Sequence, residues 1–477
     1  MHAKRILPFL TLCFFGTTIS AQKKWDLRSI VDYAMVNNLS VKISDVQAKI
    51  ADVNYRQSKS SRIPNASFTG NTSFNSGNNQ DPITFSQTTQ SYLSAGLQLQ
   101  TSVDIFNFFS KQNTILANNW ELQAAKANVD KLKNDIALAL ANAYLQILLS
   151  KEQENIASVQ IQQTTAQLIN TQKLVEAGSL PPLNQTQLEA QLATDSVNYI
   201  TAKGTVVQNI LNLKAYMNFD PAEPFEVATP SLESIPLDPI ADLQPENVYQ
   251  LALKNQPQQR YNDLKLKAAQ RNAAAVRGAM YPKLSAFGSL GSGYNNQSQK
   301  IIGSTDVNVP LGSVSVAGTA YDVYPLTPFK NYNYSKTGFP IQLSDNFSQS
   351  VGLSLSIPIL NGRALRSNYE RSKLNVSSLN FQKDLDNQTL KQNIFQAYNS
   401  VLIALEKFNA SKKSVDASQL TYDYAKKRFD VGMLGTFDLI TSQNNLLRAK
   451  LEYSINRFDY VFKMKVLEFY KGMGIKL

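Results

Sequence analysis

One uninterrupted stretch decides the fold of this chain. Residues 108–177 read FFSKQNTILANNWELQAAKANVDKLKNDIALALANAYLQILLSKEQENIASVQIQQTTAQLINTQKLVEA and contain neither proline nor glycine. Apolar residues recur there at alternating steps of three and four: Leu122, Ala125, Val129, Leu132, Ile136, Ala139 and Ala143. This heptad spacing predicts one α-helix that packs side by side with other helices over a long distance. At a rise of 1.5 Å per residue, the helix would be about 105 Å long.

The same pattern returns later in the chain. Residues 362–431 form a second long stretch with heptad positions Leu390, Ile394, Ala397, Val401, Ala404 and Phe408. A constant offset of 254 residues relates the two stretches: it places Ala143-Tyr144 on Ala397-Tyr398 and Gly178 on Gly432. This internal repeat predicts two copies of one structural unit. Two heptad helices alone are equally compatible with an ordinary coiled coil, so the segments between them are needed to choose.

Two shorter helices accompany each long one. They are predicted at residues 30–62 and 183–218 in the first repeat and at 246–280 and 437–471 in the second. In each repeat the two short helices together match the long helix in length, which predicts that they stack end to end beside it. The predicted organisation is a signal peptide at 1–21, a first repeat at 22–218, a proline-rich linker at 219–245 and a second repeat at 246–477.

Four further segments alternate apolar and polar residues, which predicts strands that are apolar on one face only. They lie at about residues 64–76, 91–106, 283–294 and 346–360, and residues 295–346 are expected to form a polar, tyrosine-rich loop. An open sheet edge in lipid leaves costly unpaired backbone groups. Because a single-chain barrel needs at least about eight strands, we expect several copies to share one barrel, continued by a joint barrel of helices.

The first 21 residues have the features of an export signal, with basic Lys4 and Arg5, an apolar core and a small-residue segment before Gln22. The only cysteine, Cys13, and the only histidine, His2, lie inside this signal. The mature chain therefore lacks the residues for cysteine or histidine catalysis, disulfides, His- or Cys-ligated metal sites and an N-terminal lipoprotein cysteine. We expect no metal, no cofactor and no lipidation, and no later stretch is long and apolar enough for a transmembrane helix.

The net charge of +11 raises the question of a nucleic-acid partner. Both signs are mixed along the helices, as in the run from Lys126 to Asp135, which indicates solvated helix faces instead. We also find no phosphate-binding loop or acidic metal-binding loop. The composition therefore argues against nucleic-acid binding and against an enzyme.

In this order and duplication of elements, the chain from Trp25 onward resembles the TolC-type outer-membrane efflux proteins. The features that carry the resemblance are the helix-proline-strand junctions at Pro64 and Pro282, the strand-to-helix transition at 354–363, the helix tip at 428–438 and the ending at 467–472. The resemblance implies an α+β membrane protein: a homotrimer with a twelve-stranded outer-membrane barrel, a long periplasmic α-helical barrel and an equatorial linker. It implies passive export driven by an inner-membrane pump through a periplasmic adaptor.

The resemblance also directs attention to particular residues. The helix tips, Gly178-Ser179-Leu180 and Gly432-Met433-Leu434-Gly435, are the candidates for adaptor docking, with plain helix capping as the alternative. Asp438 is the candidate for a periplasmic aperture, or else a charge favoured at a helix start. Leu434 and Thr441 replace the Arg and the second Asp of the aperture pattern in some relatives. Phe106, Phe108 and Phe109 suit a membrane-interface girdle, or local core packing.

Two classes of function remain open at this stage. A transport conduit is favoured, and a trimeric stalk or adhesin anchored by a barrel is the alternative. Strands in such a stalk lie at one chain end, whereas here they are internal and duplicated, which counts against it. The cargo, whether drug, metal ion or polypeptide, is not specified by the sequence.

Overall fold

The computed structural model describes residues 24–80, 85–229 and 235–472. The predicted signal peptide at 1–21 lies outside this range. The described residues divide into two compact units: those within 1–52, 120–266 and 377–477 belong to the first, and those within 53–119 and 267–376 to the second.

The first repeat contains helices α1 and α2, strands β1 and β2, the long helix α3 and helix α4. Their bounds are α1 Leu27–Asn37, α2 Leu39–Ser60, β1 Asn65–Gln80, β2 Gln87–Phe106, α3 Ser110–Glu176 and α4 Pro182–Met217. Both strands extend farther than the segments 64–76 and 91–106 predicted for them. The polar residues of this region had obscured the strand ends, because Asn, Gln and Thr fit an exposed ribbon as well as a loop.

The second repeat has the same order with an insertion between its two sheet strands. Its elements are α5 Pro245–Asn255, α6 Pro257–Gly278, β3 Lys283–Asn295, β4 Gln299–Val307, β5 Gly312–Val316, β6 Thr319–Val323, β7 Phe329–Lys336, α7 Phe339–Asp345, β8 Ser348–Ser356, α8 Ala364–Asp430 and α9 Thr436–Tyr470. Helices α3 and α8 have 67 residues each.

Residues 295–346 are therefore not the loop that the sequence predicted. Strands β4 and β7 pair as one antiparallel ribbon, and β5 and β6 pair as another. Ala317 and Gly318 connect β5 to β6, and both have positive φ, as a two-residue hairpin turn requires. Val314 and Val316 alternate with serines, a pattern typical of a strand. The polar composition of the whole segment obscured this short pattern.

Strands β1, β2, β3 and β8 form one antiparallel sheet in that order. The register places most apolar residues of the four strands on one face, as at Phe68, Leu99 and Leu290 in adjacent positions. Phe287, which pairs with Ser102 and Gly352, is an exception on the opposite face. These side chains are exposed, as are Val351, Leu353 and Leu355 of β8. In the described chain, no other strand pairs with the outer edges of β1 and β8.

The predicted short helices at 30–62 and 246–280 are each broken in two, at Asn38 and at Gln256. The amide of Asn38 donates to the carbonyl of Tyr216 at the end of α4 (2.7 Å) and accepts from the backbone N–H of Ser40. Gln256 likewise donates to the carbonyls of Phe469 and Tyr470 at the end of α9 (3.1 and 3.2 Å). One buried amide thus joins three helix ends in each repeat and satisfies carbonyls that a helix terminus leaves unpaired.

The proline-rich linker at 219–245 is packed rather than free. Its apolar residues Val227, Ile235 and Leu243 are buried against the helices of the first unit. Buried Lys214 donates to the carbonyls of Pro221 and Glu223. These contacts hold the linker in place. Among its described residues, the longest helical segment is a 3₁₀ turn at Ile240–Leu243.

The core of the first unit includes the predicted heptad position Ile136 together with residues outside the predicted series. Ile136, Leu140 and Tyr144 of α3 are buried together with Ile30 of α1 and Leu213 of α4. On α8, Ile394 and Val401 take the corresponding positions against Met464 and Leu467 of α9. Burial raises the pKa of Tyr144 to about 12, and its hydroxyl donates to the carbonyl of Ala228 at 2.8 Å.

We expect Gln256→Leu to destabilise the protein by about 1–3 kcal/mol, because it removes a buried amide whose hydrogen bonds tie the start of α6 to the end of α9. The measurement is the thermal unfolding midpoint in detergent. Gln250→Leu, the same change at an exposed position of α5, is the matched control and should stay within about 0.5 kcal/mol of the wild type. Equal midpoints for the two variants would show that the amide does not hold the helix ends together.

Candidate functional site

The two helix tips have the same backbone geometry. Gly178 follows α3 and Gly432 follows α8, and both adopt left-handed φ values, 72° and 73°. Ser179 N–H donates to the carbonyl of Leu174, and Met433 N–H to that of Arg428, each at 2.8 Å. Together with the N–H bonds of the two glycines, these contacts form a Schellman cap at each tip. Capping therefore explains the glycines, and any docking role rests on the side chains around them.

The candidate docking residues Leu180, Met433 and Leu434 are not equally exposed. Met433 is 71% exposed. Leu180 and Leu434 are half-buried, and Leu434 packs on the small core of Tyr422, Ala425, Leu439 and Leu446. Leu434 is buried because the turn after Gly432 folds it back between α8 and α9, an effect that spacing alone does not show.

Sequence reasoning missed other apolar residues at the tips. Val431 and Phe437 are 67% and 69% exposed beside Met433, and Leu183 is 63% exposed at the start of α4. The sequence does indicate their exposure, since each is an apolar residue near the glycines or prolines that interrupt the helices. The exposed apolar surface of the second tip is therefore built from Val431, Met433 and Phe437.

Polar contacts between α4 and α9 bring the two tips to one end of the first unit. In the third turn of each helix, Gln191 and Asn444 exchange a reciprocal pair of amide hydrogen bonds, both 3.2 Å. Gln167 of α3 donates to the hydroxyl of Tyr422 of α8 at 2.9 Å. Gly178 and Gly432 thus correspond in the fold as well as in the repeat.

Asp438 lies in the first turn of α9, where Gly435 is the N-cap residue. Its side chain is exposed and points back toward Gly435, a position in which the helix dipole favours a carboxylate. Among the described residues it has no ion-pair partner. Thr441 donates to the carbonyl of Phe437 at 2.8 Å and offers no second carboxylate.

The aromatic residues at the end of β2 form one exposed cluster. The rings of Phe106 and Phe108 are 5.0 Å apart, those of Phe106 and Phe109 are 5.8 Å apart, and Phe108 stacks on Tyr281 at 4.8 Å. Phe106, Phe108 and Phe109 are 43%, 39% and 59% exposed. They contact one another, but they are not a buried core. Tyr281, which sequence reasoning missed, completes the cluster from the end of α6.

The backbone at this cluster is unusual. Phe108 and Phe109 both adopt left-handed φ values, 46° and 61°, as do Gly362 and Arg363 at the corresponding positions of the second repeat. Such a conformation is unfavourable for an aromatic residue. The strand-to-helix transition of the first repeat has the same backbone geometry as that of the second, but it has Phe108 in place of Gly362. Phe108 is therefore strained, and its stacking on Tyr281 offsets the strain.

The opposite, polar face of the sheet carries hydroxyl and amide groups. Ser73 bonds to Ser94, and Ser289 to Ser350, each at 2.8 Å across neighbouring strands. The charged residues of the four strands are Asp104 and Lys283, which form an ion pair at 2.8 Å.

The described residues contain no group of three or more His, Cys, Asp or Glu side chains that could hold a metal ion. Over the same residues, none of the helices combines the length and hydropathy that a membrane span needs.

Comparison with known proteins agrees with this arrangement. The family described as Outer membrane efflux protein matches residues 30–218 and 248–461, one match for each repeat. Among curated relatives, the outer membrane protein TolC of Escherichia coli is 20% identical over 96% of this chain and 84% of its own length. The toluene efflux pump outer membrane protein TtgC of Pseudomonas putida is 20% identical over 94% of this chain and 82% of its own.

Solved structures show the same fold. The chain superposes on CusC with a TM-score of 0.75 and 14% identity, covering 94% of this chain and 92% of that one. It superposes on the outer-membrane channel OprN with a TM-score of 0.71 and 15% identity, covering 94% and 90%. The duplicated helix-strand-strand-helix architecture predicted from the sequence is confirmed by these matches. Because the family match extends over both repeats and most of the chain, this protein belongs to the outer membrane efflux protein family.

Proposed function

We propose that this protein is the outer-membrane exit channel of a tripartite efflux or type I secretion system, through which solutes leave passively. The observation that carries the proposal is the four-stranded sheet, which exposes an apolar face and has two outer edges that no described strand engages. Exposed apolar residues on one face suit lipid, and the hydroxyl and amide groups of the other suit water.

Three copies supply the missing strand pairs. If β8 of one copy pairs with β1 of the next, three sheets close a twelve-stranded barrel and no edge remains in lipid. The duplicated long helices, with their heptad faces, then continue as a joint barrel of helices in the periplasm. Such a homotrimer accounts for the exposed apolar residues along α2 and α8, among them Ile43, Ile50, Leu374 and Phe381.

The aromatic cluster around Phe106 is suited to the membrane interface at the helix side of the sheet. Its rings are exposed on the apolar side, next to the point where the strands become helices. Aromatic rings are favoured at the boundary between hydrocarbon and water. Phe106, Phe108 and Phe109, with Tyr281, are thus our candidates for a girdle that sets the depth of the barrel.

The exposed residues of the helix tips are suited to bind a periplasmic adaptor, which connects the channel to an inner-membrane pump. Val431, Met433 and Phe437 form an apolar patch at a helix turn, and such patches rimmed by polar residues mark protein interfaces. The glycines 178, 432 and 435 shape the tips rather than supply contacts. We also propose that the mature chain is not lipidated, since position 22, the first residue after the predicted signal, is Gln.

We expect the purified protein to be a trimer in mild detergent and to conduct ions in a planar bilayer. The physical reason is that four strands cannot close a barrel alone. Light scattering gives the mass, and single-channel recording gives the conductance. A monomer would contradict the shared barrel, and a trimer without conductance would favour the stalk or adhesin instead.

We expect Met433→Asp to weaken adaptor binding about tenfold or more and to abolish export, because it places a charge in the centre of an apolar contact. The measurements are adaptor pull-down and export, with the amount of protein in the outer membrane recorded in parallel. Ile200→Asp, at a position of α4 that is 67% exposed and away from the tips, is the matched control. Normal export by the Met433 variant would remove the docking role. Leu434 is unsuitable for this test because its burial would confuse docking with folding.

Asp438 is expected to contribute to the ion selectivity of the channel. In a trimer, three exposed carboxylates around a narrow opening attract cations and repel anions. Asp438→Asn should therefore lower the cation preference and weaken block by multivalent cations, while assembly is unchanged. We expect a modest effect because Thr441 leaves the ring single. Identical reversal potentials for wild type and variant in a salt gradient would leave Asp438 as a helix-start residue.

A further inference from the structure

An ion cluster interrupts the otherwise neutral polar face of the sheet. Asp104, near the end of β2, accepts from Lys283 of β3 and from Lys111 of α3, each at 2.8 Å. Ser285 adds a third donor at 3.0 Å. The side chain of Asp104 is only 16% exposed, whereas those of Lys111 and Lys283 are 31% and 49% exposed. The carboxylate is thus covered by the two lysines, whose ammonium groups face outward.

The three side chains do not cancel in charge. Two ammonium groups and one carboxylate leave a formal charge of +1 at the cluster. An ammonium group has three N–H donors. Lys283 directs one of them to Asp104, and Lys111 directs two, to Asp104 and to the carbonyl of Ser61 at 2.7 Å. Within the described part of the chain, the remaining three donors have no acceptor.

A purely structural ion pair would not require this arrangement. One lysine neutralises one carboxylate, and Lys111 alone joins β2 to α3 and to the end of α2. The second lysine, Lys283, adds an excess charge at a partly exposed position, where an ion pair contributes little to stability. Asp104 instead holds the two ammonium groups side by side, which prepares them to bind a group with more than one acceptor oxygen.

We propose that the cluster of Lys111, Lys283 and Asp104 is an anion-binding site on the polar face of the sheet, suited to a phosphate or carboxylate group of a passing solute. The inference rests on the proposed channel, in which the polar face lines the lumen. Three copies place three such clusters around one lumen, and their summed positive potential raises the local concentration of anions.

The second repeat does not duplicate the site. At the offset of 254 residues, Pro358 takes the place of Asp104 and Leu365 that of Lys111. Each chain therefore contributes one cluster. The other charged candidate, Asp438, belongs to the first compact unit and has the opposite sign, so the two contributions to ion selectivity are separable by mutation.

The test uses the purified full-length trimer in a planar bilayer at about 0.1 M potassium chloride, with inorganic phosphate as the probe. Lys283→Gln should lower the chloride-to-potassium permeability ratio about two- to fivefold, the effect of one unit charge near water. The phosphate concentration needed for half block should rise by a similar factor. Asp104 keeps Lys111 and Ser285 as partners in this variant, so the sheet is preserved.

Two controls sharpen the result. Lys283→Arg keeps the charge and should behave as the wild type. Lys300→Gln removes an exposed lysine from β4, outside the sheet, and should also leave both measurements unchanged. The difference caused by Lys283→Gln should shrink in 1 M salt, where charges are screened within about 3 Å.

The outcomes separate this inference from the proposed channel. A wild-type protein that forms no conducting pore would refute the channel itself. A conducting wild type with the same permeability ratio and phosphate block as Lys283→Gln would overturn the anion site and leave the channel intact. An equal effect of Lys300→Gln would also overturn it, since the effect would then come from total charge rather than from the cluster.

Discussion

The outer edges of the four-stranded sheet impose the constraint on which the rest of the structure depends. On the outer edges of β1 and β8, the backbone N–H and C=O groups have no partner strand in the described chain. In water these groups would be hydrated, but the exposed apolar face of the same sheet suits lipid, where each unpaired group costs several kcal/mol. Only pairing with further strands satisfies both requirements. The proposed oligomer and its shared barrel are the simplest way to pair these two edges.

The repeat carries its geometry through a few polar contacts rather than through sequence identity. Asn38 and Gln256 are different amides, yet each closes a break between two helices by bonding to the last carbonyls of a third. Gly362 adopts a left-handed backbone freely, whereas Phe108 adopts it under strain and is held by stacking. The two repeats therefore share their backbone conformation at these positions but differ in their side chains. The difference is concentrated at the strand-to-helix transitions, where the first repeat has Phe106, Phe108 and Lys111 and the second has Leu360, Gly362 and Leu365 at the same positions.

Much of this fold could be predicted because its elements are long and strongly periodic. Heptads fixed the positions of α3 and α8, and alternation fixed the sheet strands. The helix break at Gln256 has a local signal in Pro257, which disfavours a helical conformation of the residue before it, and the prediction of one helix over 246–280 passed over it. The bonds of Gln256 to the end of α9 could not be predicted, because they join distant segments. The burial of Leu434 likewise depends on the turn that follows Gly432. Asp104 and Lys283 lie far apart in sequence, and only the pairing of β2 with β3 brings them together. Contacts between distant elements, and the sites built from them, were thus beyond the reach of local patterns.

A conduit for passive export has to admit solutes without retaining them. Binding must be favourable enough for a solute to enter and weak enough for it to leave. The polar face of the sheet fits this requirement, since its serine, asparagine and glutamine side chains offer hydrogen bonds that water can replace, and its strands carry one acidic and one basic residue. A high density of one charge would trap solutes of the opposite sign. Charged residues at a few positions are therefore enough to select between cations and anions. The uncharged remainder of the wall lets a wide range of solutes pass.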